Sequence, residues 1–79
     1  MMQVIFWSKD SCVYCEQAKS LLTHKFIAYE ERNVSRGEWS REQLLEAAPN
    51  ARTFPQVFID GQLIGGFTDL KKHFEDQNG

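Results

Sequence analysis

The feature that most constrains this chain is the segment Ser11-Cys12-Val13-Tyr14-Cys15, which carries both of its cysteines with two residues between them. Upstream lies a short apolar run, Val4-Ile5-Phe6-Trp7, and downstream a helix-like stretch. A strand that delivers a Cys-x-x-Cys onto the first turn of a helix is the arrangement of a thiol–disulfide redox site.

The chemistry favours that layout. A thiolate is the nucleophile in disulfide exchange, and a free cysteine, with a pKa of about 8.5, is mostly protonated at neutral pH. The start of a helix offers unpaired N–H groups and the positive end of the macrodipole, both of which stabilise an anion. Cys12, at or just before the first turn, is therefore assigned as the attacking thiol. Cys15 falls on the same side of the helix one turn later and is assigned as the resolving thiol. Lys9 either adds a nearby positive charge or is a solvated surface lysine. A structural disulfide here would close a very short loop and stabilise little. A zinc site would need more ligands than two cysteines with His24 and His73, which lack finger-like spacing. A metal shared between two chains, or thiols without a role, stay open as alternatives.

The composition narrows the classes. A length of 79 residues implies a single domain, residues 1–79. Such a domain buries roughly 60% of its unfolded-chain surface, enough for one thin core but not two. With 42% hydrophobic residues and six phenylalanines the chain reads as globular and soluble. The net charge is −2 and no basic cluster runs on, which argues against nucleic acid as a partner. No apolar run approaches the ~20 residues of a membrane span. The strand pattern begins almost at the N-terminus, leaving no room for a signal peptide. Two reactive cysteines without a disulfide framework fit a reducing compartment, so a cytoplasmic location is expected.

Along the chain, Val4–Trp7 predicts a buried strand and Ser8-Lys9-Asp10-Ser11 a turn. A helix is predicted from about Val13 to His24, capped near Ser11 or Cys12, with Ala18, Leu21 and Leu22 as its apolar stripe and Lys25 at its end. Val13 and Tyr14 fall in an exposed first turn. Residues 26–34 read as a second strand running into a loop. Two strands joined by a helix should be parallel, with a right-handed crossover, and the site then lies beyond the carboxyl end of the first strand. Ser40-Arg41-Glu42-Gln43 matches a capping box. The helix it opens should run to Ala48, with Leu44, Leu45 and Ala48 inward and Trp39 stapled against Leu44. Pro49 and Asn50 stop it. Gln56–Ile59 reads as a third strand, Asp60-Gly61 as a two-residue hairpin turn, and Gln62-Leu63-Ile64 as its antiparallel return. Gly65-Gly66-Phe67 breaks that strand. Thr68 should cap a last helix with Leu70 and Phe74 on the core side, and Glu75 to Gly79 should fray. The order β-α-β-α-β-β-α describes an α/β fold of thioredoxin-like type: a four-stranded mixed sheet with three helices.

Cys12-Val13-Tyr14-Cys15, Thr53-Phe54-Pro55-Gln56-Val57-Phe58-Ile59 and Gly65-Gly66-Phe67-Thr68-Asp69-Leu70 together resemble the three signatures of dithiol glutaredoxins, in the family's order and spacing. The resemblance covers nearly the whole chain. It implies a cis bond at Pro55, with the backbone of Phe54 pairing with the cysteine of bound glutathione. It places Thr68 and Asp69 at the γ-glutamyl end of glutathione, where a helix N-terminus and a carboxylate would meet a carboxylate and an ammonium. It puts Tyr14 beside the ligand, Lys9 near the glycyl carboxylate, and Arg41 as a further candidate there. On residues alone, an ordinary trans strand-start is the alternative for Pro55, and Thr68-Asp69 reads as a helix cap, a role compatible with ligand binding. His24 and His73 read as solvated residues near helix ends.

Two positions depart from the family pattern. Val13 stands where the common motif has proline, which changes the first helical turn and the redox potential. It also keeps open a glutathione-ligated iron–sulfur cluster, as some proline-lacking relatives bind one at a dimer interface. Phe54 replaces the usual valine and either narrows the groove or adds an apolar contact for a protein substrate.

The leading expectation is a monomeric glutathione-dependent oxidoreductase that reduces protein disulfides and glutathione mixed disulfides. Glutathione acts as reductant and no tightly bound cofactor is expected. Ribonucleotide reductase is among the substrates the resemblance suggests. The alternatives are a thioredoxin-like redoxin recharged by a flavoprotein reductase, and a cluster carrier using Cys12 with glutathione.

Overall fold

The computed structural model describes residues 2–78. The elements follow as β1 (Val4–Ser8), α1 (Val13–His24), β2 (Glu30–Asn33), α2 (Arg41–Ala47), β3 (Gln56–Ile59), β4 (Gln62–Gly65) and α3 (Phe67–Asn78). The sheet has four strands in the order β2-β1-β3-β4. β1 is parallel to β2, with Ile5 opposite Glu30 and Ser8 opposite Asn33. β3 is antiparallel to both β1 and β4. This is the predicted mixed sheet with three helices.

Alternation along the two central strands decides which helix covers which face. Val4, Phe6, Val57 and Ile59 pack with Cys15, Ala18 and Leu22 of α1 and with Leu70 and Phe74 of α3. Trp7 and Phe58 point the other way and pack with Leu44 and Ala48 under α2. The expectation of one thin core is corrected. A sheet covered on both faces divides even a small apolar complement into two clusters, and half-buried Phe54 touches both.

Five local expectations also change. Ser8 extends β1 rather than opening the turn, because its carbonyl accepts the Val34 N–H and its buried hydroxyl donates to Glu31 Oε2 at 2.7 Å. β2 starts at Glu30, not Phe26. Residues 25–27 instead close α1: the Ile27 N–H reaches the Leu22 carbonyl and the Phe26 N–H that of Thr23, with Phe26 at φ 58°. This is a Schellman close. Leu45 is 43% exposed, since α2 ends at Ala47 and only Leu44 and Ala48 turn inward. α3 begins at Phe67: Leu70 N–H bonds to the Gly66 carbonyl, so Gly66 is the cap and Thr68 lies in the first turn. The backbone expected to fray from Glu75 is helical through Asn78, and Gly79 lies outside the described residues.

The capping box is formed. Ser40 Oγ accepts from Gln43 N–H, and Gln43 Oε1 from Ser40 N–H. Trp39 packs in the cluster of Leu44, edge-on to Trp7 at 5.6 Å, with the Arg32 guanidinium over both rings. Asp60 and Gly61 both take positive φ, as a tight hairpin turn of the predicted kind needs. Among the described residues no helix is long and apolar enough to cross a membrane.

Candidate active site

β1 ends under a four-residue loop that turns the chain into α1. Ser11 takes φ 55°, and Cys12 then adopts an extended conformation as the N-cap of the helix. The loop is pinned from the β2–α2 side: Asp10 N–H donates to Ser35 Oγ at 3.0 Å, while Asp10 Oδ1 accepts from Asn33 and Arg36. Cys12 and Cys15 are joined as a disulfide. Their exposures differ: Cys12 is half-buried, and Cys15 is sealed at 3% within the α1–α3 cluster. An incoming disulfide therefore reaches Cys12 and not Cys15.

Cys12 Sγ accepts the Cys15 backbone N–H at 3.2 Å, so the sulfur occupies the place of an N-cap oxygen. That donor, with the helix dipole behind it, favours the thiolate once the disulfide opens. On the sheet side Cys12 Sγ lies 3.8 Å from the Phe54 carbonyl oxygen. The Phe54–Pro55 bond is cis.

A groove of about 360 Å³ runs from Tyr14 past Thr53, Phe54 and Pro55 to Thr68 and Asp69. Tyr14, 57% exposed, stacks on Phe67 at 6.3 Å with an interplanar angle of 24°. At the far end Gly66 N–H donates to Asp69 Oδ2 at 3.2 Å, holding the carboxylate at the start of α3. Gly65, at φ 123°, leaves the space that carboxylate fills, and a Cβ there would overlap it. Lys9 and Arg41 approach the Phe54 ring at 5.8 and 5.3 Å from its centre and do not line the groove.

The structure thus brings Tyr14, Phe54, Pro55, Thr68 and Asp69 to one groove, with Cys12 at its edge against the Phe54 carbonyl, Cys15 buried behind it, and Lys9 and Arg41 beside the Phe54 ring. Phe67 and Gln56 also line the groove, a role the sequence reading did not give them. Phe67 stood inside the Gly-Gly-Phe-Thr-Asp block but read only as a strand breaker. A larger open hollow of about 580 Å³ lies between α1 and α3, but neither sulfur lines it. Among the described residues no group of three or more His, Cys, Asp or Glu is placed to hold a metal ion.

A redox cysteine pair at a helix N-terminus, beside a cis-proline on a mixed four-stranded sheet, defines a thioredoxin-like thiol–disulfide oxidoreductase. The glutaredoxin family model matches residues 4–64, and the chain belongs to that family. It is 37% identical to glutaredoxin 3 of Escherichia coli over 70 residues, covering 89% of this chain and 83% of that protein. Glutaredoxin 1 of Rickettsia bellii is 40% identical over 70 residues, covering 85% and 71%. Glutaredoxin 1 of Francisella tularensis superposes with a TM-score of 0.81 at 29% identity, covering 96% of this chain and 95% of that one. A buckwheat glutaredoxin–glutathione complex superposes with a TM-score of 0.82 at 27% identity, covering 94% and 69%.

Proposed function

We propose that this protein transfers electrons from glutathione to protein disulfides and glutathione mixed disulfides through Cys12 and Cys15. The observation that carries the reading is Cys12 Sγ, accessible, hydrogen-bonded to a helix N-terminal N–H, and set against the Phe54 carbonyl at the edge of the groove. On a mixed disulfide the Cys12 thiolate attacks the glutathione sulfur. A Cys12–glutathione disulfide forms and the substrate leaves as a thiolate, which takes a proton from water. A second glutathione thiolate then displaces Cys12, giving oxidised glutathione. On a protein disulfide Cys12 forms a bond to one substrate sulfur and releases the other. Cys15 then displaces the substrate dithiol, leaving the Cys12–Cys15 disulfide for two glutathiones to reduce.

In this reading glutathione lies along the groove. Its cysteine pairs with the Phe54 backbone beside Pro55, and Tyr14 flanks it. The γ-glutamyl carboxylate meets the start of α3 at Thr68, the ammonium meets Asp69, and Lys9 with Arg41 faces the glycyl carboxylate. Ribonucleotide reductase belongs to the disulfide substrates this chemistry would serve. A single 1–79 domain acting as a monomer suffices for it, and a cytoplasmic location would keep glutathione reduced.

The test follows reduction of the Cys12–Cys15 disulfide by thiol trapping, with glutathione, NADPH and glutathione reductase in one sample and NADPH with thioredoxin reductase in another. The expected outcome is reduction by glutathione, with turnover of a glutathionylated substrate retained in Cys15→Ser and in Cys15→Ala, which places no hydroxyl in the buried site. Cys12→Ser abolishes turnover. Reduction by thioredoxin reductase alone would overturn the reading. A coloured dimer after anaerobic iron and sulfide reconstitution with glutathione would point to the cluster carrier instead.

A further inference from the structure

The groove beside the dithiol does not stop at Phe54. Thr53 and Phe54 line it on one side and, on the other, a second hollow of about 100 Å³ formed with Leu44, Leu45 and Ala51 and edged by Arg41 and Arg52. Lys9 sits over the same Phe54 ring as Arg41. Three cations therefore gather around an aromatic ring and a small apolar hollow, in a chain whose net charge is −2. The ion pairs among the described residues are Lys19–Glu31, Arg32–Glu30 and Arg36–Asp10, and none of them takes Lys9, Arg41 or Arg52. On α2, Arg41, Leu44 and Leu45 share a face by their i, i+3, i+4 spacing, whereas Glu42 and Glu46 lie on the next face and do not line the hollow.

We infer that this hollow docks the polypeptide flanking a substrate's disulfide-bonded cysteine and selects a segment with a carboxylate and an apolar side chain next to that cysteine. The inference rests on the proposed groove chemistry, in which the substrate sulfur meets Cys12 beside Phe54. A tripeptide thiol ends at the Lys9 and Arg41 charges beside Phe54, but a protein segment must run on past them. Phe54 is the wall shared with a second concavity, so it marks a lined way out. Leu45, 43% exposed, offers the apolar contact. The cations supply attraction that raises the encounter rate with acidic segments and disfavours basic ones. The ring of Phe54 holds Lys9 and Arg41 in place by cation–π attraction. The hollow between α1 and α3 is larger, but Glu16, His24 and Lys71 give it mixed charge and no such preference.

The experiment uses the full chain, pre-reduced and in excess, in single turnovers against two synthetic peptides with one internal disulfide each. One carries Asp-Leu beside a cysteine, the other Lys-Ser, and hydroxyethyl disulfide serves as a substrate without flanks. In each reaction two electrons and two protons pass from Cys12 and Cys15 to the substrate. The acidic peptide is expected to react on the order of ten-fold faster than the basic one at low salt, with the advantage shrinking as salt rises. Arg52→Glu removes or reverses that preference, Leu45→Ser weakens the acidic peptide's reaction, and both variants reduce hydroxyethyl disulfide as the parent does. Equal rates for the two peptides, or an Arg52→Glu variant slowed equally on all three substrates, would overturn the docking site while leaving the oxidoreductase reading intact. Failure of the parent protein to reduce hydroxyethyl disulfide would overturn both.

Discussion

Phe26 occupies the left-handed position that closes α1, with φ 58° and 95% of its surface exposed. An L-residue with a Cβ pays roughly 1–2 kcal/mol for that conformation, and glycine does not. The ring buries nothing that would compensate. Phe26→Gly should therefore stabilise the protein by about 0.5–1 kcal/mol in urea unfolding, after allowing for glycine's looser unfolded chain. Val13 is the second position where one residue departs from what its place favours. It is the first residue of α1, where a missing N–H costs nothing, and Cys12 before it lies at φ −122°, ψ 106°, close to the region a following proline imposes. Val13→Pro should fold normally, hold or gain up to about 0.5 kcal/mol, and change the dithiol's reduction potential when equilibrated against glutathione.

Glu31 on β2 ties three elements together. One carboxylate oxygen accepts from the Ser8 hydroxyl, buried to 1% at the end of β1, and the other pairs with Lys19 of α1 at 3.2 Å. Glu31→Ala would leave the Ser8 hydroxyl buried without its acceptor and should cost about 1–3 kcal/mol, loosening the strand end that feeds the Cys12 loop. Lys19→Met should cost well under that, about 0–1 kcal/mol, because the pair is partly solvated. The hydrogen bond to Glu31 raises the Lys19 ammonium above its ordinary value of 10.5, against a smaller opposing effect of burial. A raised lysine contributes its stability in full below the unfolded-state value and loses it as pH climbs through the folded one. The parent–Lys19→Met difference should thus be flat from neutral pH to mildly alkaline pH and close only above the ordinary lysine range. A difference that vanished on acidification towards neutrality would contradict that sign. The cap of α2 is a separate term: Ser40→Ala should cost about 1 kcal/mol, read as a lower Tm.

At the scale of the whole molecule, the central sheet is the wall that keeps two small cores apart, and each depends on few side chains. Leu22 is fully buried between α1 and the sheet. Leu22→Ala should cost about 2–5 kcal/mol, against a total of roughly 4–12 kcal/mol for a domain of this size, and should broaden or abolish the cooperative thermal transition. The groove depends on the same architecture through Gly65, whose missing Cβ lets the Asp69 carboxylate return to the Gly66 N–H across the junction of β4 and α3. With Asp69 in its proposed role toward the glutathione ammonium, Gly65→Ala should displace that carboxylate and raise the KM for glutathione by roughly ten-fold or more, the value of one charge-assisted contact, with kcat changed less.

The residues by themselves determined the order of elements, the Cys12–Cys15 pair at the start of a helix, the capping box at Ser40 and the hairpin at Asp60-Gly61. Each is written in local periodicity, cap chemistry or turn geometry spanning a few residues. The three quoted blocks carried the family and, through it, the groove's expected lining. What escaped the sequence was decided between distant segments. Nothing local shows that Phe26 would close a helix rather than start a strand, because the Ile27–Leu22 closure depends on Ile27 packing into the α1–α3 core. Nothing local shows that Gly66 rather than Thr68 would cap α3, that Ser8 would bury its hydroxyl against Glu31, or that Phe67 would stack on Tyr14. Arg52 carries no motif. It gains meaning only because the fold sets it beside Arg41 and Phe54, where charges far apart in the chain share one hollow.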